Sequence, residues 1–92
     1  MSEALSFSSV PRIANGYRFQ WEQAQNCWVL LYPEGMITLN GSAGAVLNRV
    51  DSERTVADVI ATLQEEFPEA DLAADVIDFL EHARERGWIE TG

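Results

Sequence analysis

The sequence predicts an α+β domain in which a three-stranded antiparallel sheet is followed by three helices. Three observations predict it. Tyr17, Phe19 and Trp21 alternate with Arg18, Gln20 and Glu22, a period of two that buries one face of a strand and wets the other. Cys27-Trp28-Val29-Leu30-Leu31-Tyr32 is continuously apolar and runs through Pro33-Glu34-Gly35 into Met36-Ile37-Thr38-Leu39, the pattern of a hairpin. Beyond Asn40 the apolar residues recur at three- and four-residue intervals, the spacing of one helical face.

Residues 1–14 are rich in Ser and Ala without periodicity and are read as a flexible arm ahead of a domain over residues 15–92. Val10-Pro11-Arg12-Ile13 can dock onto that domain, but Pro11 argues against a central strand there. The alternating stretch forms the first strand of the sheet, and the polar residues 23–26 connect it to the second. The second strand is apolar throughout, as expected in the middle of a sheet covered on both faces. In the Tyr32-Pro33-Glu34-Gly35 turn, proline presets φ at the second position. Glycine there tolerates the positive φ of a type I turn with a bulge. The third strand, Met36 to Leu39, lies on an edge of a 1-2-3 meander.

Asn40 or Ser42 can cap the first helix, whose buried face carries Ala43, Val46, Leu47 and Val50. Thr55 followed by Asp58 resembles a capping box for the second. Val56, Val59, Ile60, Leu63 and Phe67 make its apolar stripe, and Pro68 stops it. Asp71 can cap the third helix, which runs to about Arg86 and ends at Gly87. On a wheel of about 100° per residue, Leu72, Val76, Phe79, Leu80 and Ala83 fill an arc of about 100°. Ala73 and Ile77 widen it to about 160°, with Arg84 among them. That extra width either packs on another helix or lines a groove.

Ninety-two residues make one domain, and a hydrophobic content of 47% excludes general disorder. No run of ~18 apolar residues offers a membrane span, and Met1 to Ser9 lacks the features of a signal peptide. A single cysteine, Cys27, excludes an internal disulfide and fits a cytoplasmic protein. Residues 1–50 hold three acids and three bases, so the whole net charge of −9 comes from residues 51–92. Such an acidic helical half repels phosphate and argues against nucleic acid. It either attracts a basic protein surface or serves solubility, since a charge run is ordinarily a solvated face.

Nothing in the chain reads as a catalytic or metal-binding cluster. His82, the only histidine, sits on a polar helix face, and Cys27 lies in an apolar strand without histidine nearby. Asp75, Asp78, Glu81 and Glu85 form a wet stripe, and Gly41-Ser42-Ala43-Gly44 lacks the pattern and the lysine of a phosphate loop. Enzyme activity and a resident cofactor are therefore not expected.

Several residues together resemble the PqqD family of pyrroloquinoline quinone biosynthesis. They are Pro11-Arg12, Gly16-Tyr17-Arg18, Leu30-Leu31-Tyr32-Pro33-Glu34-Gly35, Leu39-Asn40, Ala43, Leu47, Thr55-Val56, Asp75-Val76, Phe79-Leu80 and Gly87. The resemblance covers about residues 10–90, and the run from Leu30 to Gly35 with Leu39-Asn40 is its most specific part. One departure is Val50-Asp51-Ser52, where the family often has Cys-Asp-Gly. The resemblance implies a winged helix-turn-helix-like peptide-recognition domain without a cofactor. It implies that the domain binds the precursor peptide PqqA and presents it to the radical SAM enzyme PqqE, which crosslinks a glutamate and a tyrosine in that peptide. The peptide is expected to add as a strand beside the third strand, against the third helix.

An edge strand independently suits that role, because its unpaired N–H and C=O groups let a peptide extend the sheet. Met36, Ile37, Thr38 and Leu39 are assigned to backbone pairing. Ala73, Ile77 and Leu80 are assigned to an apolar wall, and Arg84 to an acidic peptide residue. Each has a core alternative, strongest for Ile37, Leu39 and Leu80. A winged-helix DNA binder would need a basic recognition helix, for which only Arg84 and Arg86 are on offer. A dimerisation module pairing the same edge with a second copy is the other alternative, so monomer and homodimer both stay open.

Overall fold

Residues 11–13 meet residues 89–91 in a pair of very short strands. The computed structural model describes residues 5–91, in the order β1 (Pro11–Ile13), β2 (Arg18–Glu22), β3 (Cys27–Tyr32), β4 (Gly35–Thr38), α1 (Gly41–Leu47), α2 (Val56–Glu66), α3 (Ala73–Glu85) and β5 (Ile89–Thr91). β2-β3-β4 is the expected antiparallel meander, and the three helices follow it. β1 and β5 form a separate two-stranded ribbon in which Pro11 faces Thr91 and Ile13 faces Ile89. Part of the segment read as an arm is therefore strand, while residues 1–4 lie outside the described residues. Proline is tolerated because it stands first in a strand of a two-stranded ribbon. Between these strands Arg12 and Glu90 are direct partners, joined by a 2.9 Å ion pair. Upstream, the Ser9 and Phe7 carbonyls accept the Val56 and Ala57 N–H groups, two first-turn donors of α2 that have no partner within the helix.

Register follows from the pattern that predicted the sheet. Phe19, Leu30 and Ile37 are cross-strand partners, so their side chains share one face, the one that meets the helices. Phe19 stacks on Trp28 with ring centroids 4.4 Å apart, and Trp28 lies against α1 at Gly44. Trp21, expected to be buried by its alternation, is 45% exposed because it lies at the end of the sheet beside the residue 23–26 turn. The β3–β4 loop is Pro33-Glu34, and Gly35 pairs directly with Tyr32 without a positive φ. The bulge expected at Gly35 is absent; a two-residue loop closes the hairpin instead.

The core gathers Leu30, Leu39, Val46, Leu47, Val56, Val59, Leu63, Val76, Leu80 and Ile89 between the sheet and the helices. The side chain of Asn40 caps α1, its Oδ1 accepting the Ala43 N–H at 2.7 Å. Thr55 and Asp58 make both bonds of the capping box. Asp71 does not cap α3. Its N-cap is Leu72, without a side-chain bond, and the Gln64 side chain ties the α2–α3 connection instead. Gln64 donates to the Phe67 and Ala70 carbonyls and accepts the Leu72 N–H. Gly87, at φ 81°, closes α3: its N–H reaches the Arg84 carbonyl and that of Trp88 reaches Ala83.

Between α1 and α2, the Asp51 carboxylate accepts the Glu53 and Arg54 N–H groups. The Arg54 bond first, then that of Glu53, lowers its pKa below the ordinary 3.8. Ser52, in the same turn, has a φ of 70°, at the position where the resembled family often has glycine. Only glycine adopts that conformation without steric cost. Ser52→Gly is expected to gain about 0.5 kcal/mol, what remains after the extra chain entropy of glycine, and to raise the thermal midpoint by about 3 °C. A calorimetric midpoint that stays level or falls would contradict it.

Candidate peptide-binding cleft

The hydrogen-bond alternation of β4 decides which of its residues can serve a ligand. The Leu39 N–H donates to the Trp28 carbonyl at 3.0 Å, continuing the register of Ile37 with Leu30 and Gly35 with Tyr32. In an antiparallel ladder hydrogen-bonded pairs occur at every second residue. Gly35, Ile37 and Leu39 therefore direct their N–H and C=O groups at β3, and Met36 and Thr38 direct theirs outward. No strand lies on the outer side of β4 among the described residues.

This narrows the four residues assigned to backbone pairing. Met36, 39% exposed, and Thr38 offer main-chain groups at the free edge. Ile37 and Leu39 do not: their amides belong to the sheet, Leu39 is buried, and Ile37 packs on the core. Their core alternative is the one the structure realises.

A cleft of about 800 Å³ opens beside the end of this edge. Thr38, Leu39 and Asn40 form one side, Ala45 and Val46 of α1 its base, and Leu63 and Phe67 of α2 its far end. From α3 it takes Asp75, Val76, Phe79 and His82, and from the N-cap Leu72. It is lined mainly by carbon, as a groove for side chains requires. The flank of α3 facing it is opposite to the one expected. Leu80 is fully buried in the core. Ala73, Ile77 and Arg84 are half-buried on the other flank, where Glu81 accepts the Leu5 N–H and Ile77 packs on the core. The cleft takes its α3 edge at Phe79, and Ile77 is not among its lining residues.

Phe67 and Phe79 are the cleft residues that the pattern alone missed. Phe67 belongs to the apolar stripe of α2, yet it lies at the helix C-cap before Pro68 and is 49% exposed. A large apolar residue at a proline-terminated helix end was the available signal.

The rim is acidic. Asp75, Asp78, Glu81 and Glu85 surround His82 on the outer face of α3. Arg86 donates from Nε to His82 Nε2 at 2.9 Å, and both approach the Trp88 ring at 6.0 Å. Among the described residues no group of three or more His, Cys, Asp or Glu side chains is placed to hold a metal ion. No helix among them is long and apolar enough to cross a membrane.

Comparison with known proteins converges on one family. The model of the family described as coenzyme PQQ synthesis protein D (PqqD) matches residues 27–89. A protein of Azotobacter vinelandii named "PqqA binding protein" is 56% identical over 91 residues, spanning 98% of both chains. A protein of the same name from Pseudomonas aeruginosa is 52% identical over 86 residues, 92% of this chain and 94% of that one. The solution NMR structure of the PqqD truncation of Methylobacterium extorquens PqqCD, described as a functional and stand-alone recognition element for ribosomally synthesized and post-translationally modified peptides, superposes with a TM-score of 0.76. It is 33% identical and covers 95% of each chain. With a family match over most of its length and relatives more than half identical from end to end, the chain belongs to the PqqD family.

Proposed function

We propose that this chain is a peptide chaperone of pyrroloquinoline quinone biosynthesis, acting in the cytoplasm. It binds the precursor peptide PqqA as an added strand along β4 and presents it to the radical SAM enzyme PqqE. The observation that carries this reading is the coincidence of a free strand edge with an apolar cleft. Outward main-chain groups at Met36 and Thr38 lead directly into a cavity walled by Phe67, Leu72 and Phe79. Main-chain bonds along the edge give affinity for any extended peptide, and pockets for alternate side chains give selectivity. The names of the relatives, "PqqA binding protein", support the identity of that peptide.

Chemistry on the peptide belongs to the enzyme in this reading. The domain contributes an ordered, extended substrate, which lowers the entropy cost of presenting it. The acidic outer face of α3 remains exposed beside the bound strand and is the surface through which a basic patch of the enzyme would dock.

Titrating isotopically labelled protein with synthetic PqqA tests the proposal. The expected result is movement of the Met36 and Thr38 amide resonances together with those of Leu72 and Phe79. No binding at high micromolar peptide sinks the chaperone reading. Shifts confined to Ala73, Ile77 and Arg84 move the peptide to the opposite flank of α3.

A further inference from the structure

The cleft does not stop at Asn40. A second crevice of about 410 Å³ shares Leu39, Asn40, Gly41 and Ala45 with it, and continues over the N-terminal end of α1. Its walls are Trp21, Trp28 and, just past the C-terminal end of α1, Asn48 and Arg49. Trp21 meets Trp28 edge-on, at 5.4 Å and 77°, and Trp28 is held from behind by the stacked Phe19. Trp21, set edge-on against Trp28 and 45% exposed, presents an aromatic surface to solvent at the crevice.

From this we infer that the crevice is a side-chain subsite for an aromatic residue of the same peptide, just beyond the stretch paired to β4. The inference rests on the strand-addition reading. Its occupant is neutral, because the cation among the described lining residues, Arg49, is bonded to Glu66, which lines the crevice beside it. It is planar, because the exposed surface it meets is an indole. Polar groups border the ring: Asn26 and Asn48 are exposed, and Asn40 commits its Oδ1 to α1, leaving its NH2 to donate. These amides suit a tyrosine hydroxyl or the main chain on either side of the aromatic residue. The volume admits one large side chain, not a second strand. Aromatic anchors in such pockets dominate peptide affinity while their surroundings contribute mainly by excluding water.

The test uses synthetic PqqA and versions in which each Phe, Tyr or Trp is replaced by Ala in turn. Trp21→Ala is expected to weaken binding of the unaltered peptide about tenfold, the value of a good aromatic pair. One aromatic-to-Ala peptide should lose the same factor on the wild-type protein and nothing further on the variant, the signature of direct coupling. In the wild-type protein the Trp21 indole N–H resonance should also move on binding, a readout that does not depend on the variant folding. A Trp21 indole that stays in place while the Met36 and Thr38 amides shift overturns the subsite and leaves the cleft intact. Affinity of a folded Trp21→Ala variant within twofold of wild type does the same. Failure of the peptide to bind either protein overturns both.

Discussion

Thr38→Pro is expected to weaken PqqA binding at least tenfold while leaving the domain folded. The Thr38 N–H points away from β3, so its removal costs the meander no hydrogen bond. Proline is accepted on an edge strand when the missing N–H faces outward, and the residue before it, Ile37, is already extended, as proline requires. A peptide pairing there loses one main-chain bond, about 0.5–1.5 kcal/mol, and meets the pyrrolidine ring where its own strand should lie. A tenfold loss is about 1.4 kcal/mol, so the two effects together exceed it. Isothermal titration gives the affinity, and circular dichroism with a thermal midpoint close to wild type certifies the fold. Unchanged affinity in a folded variant would mean that the peptide does not pair at Thr38.

Gly44→Ala is expected to destabilise the domain by about 1–2 kcal/mol and lower its thermal midpoint by about 5–15 °C. A Cβ on Gly44 would lie 2.6 Å from Trp28 Cδ1 and 3.1 Å from Trp28 Cβ and Cγ. Carbon atoms do not approach so closely, so something must shift. The indole has little room to give, since Phe19 stacks on it and Trp21 abuts it. The helix must therefore lift from the sheet. Alanine returns up to about 1 kcal/mol through helix propensity, which sets the lower end of the range. Both the cleft and the crevice are built on α1, so binding should weaken in the same variant. A midpoint equal to or above wild type would show that α1 re-seats on the sheet without loss.

Elements with room for a repeat were legible in the sequence. Six alternating residues defined β2, an apolar run defined β3, and the stripes of α2 and α3 placed Val59, Leu63, Val76 and Leu80 in the core where they are found. β1 and β5 were not legible. Three residues hold no period, and each finds its partner nearly a whole chain length away. The site divided along the same line. The edge at Met36 to Leu39 was visible because a hairpin has an outer strand. Which of its amides face outward depends on the phase of the ladder, which the Leu39–Trp28 bond sets. The cleft flank of α3 depends on which neighbours lie beside it, and a wheel holds no neighbours. Leu5 and Glu81 meet on one side, Phe67 and Thr38 border the other, and that arrangement is long-range.

The ribbon of β1 with β5 has a consequence for how such a domain can be attached to something else. Pro11 and Thr91 sit opposite one another, so chain entering the domain and chain leaving it pass through the same small region. A second protein joined beyond Thr91 would start beside the ribbon, whereas one joined ahead of Leu5 would start where that residue is tied to Glu81 of α3. Its reach to β4 would then depend on which end was used as well as on linker length and stiffness. The order of the parts in a fusion is thereby coupled to the geometry of delivery.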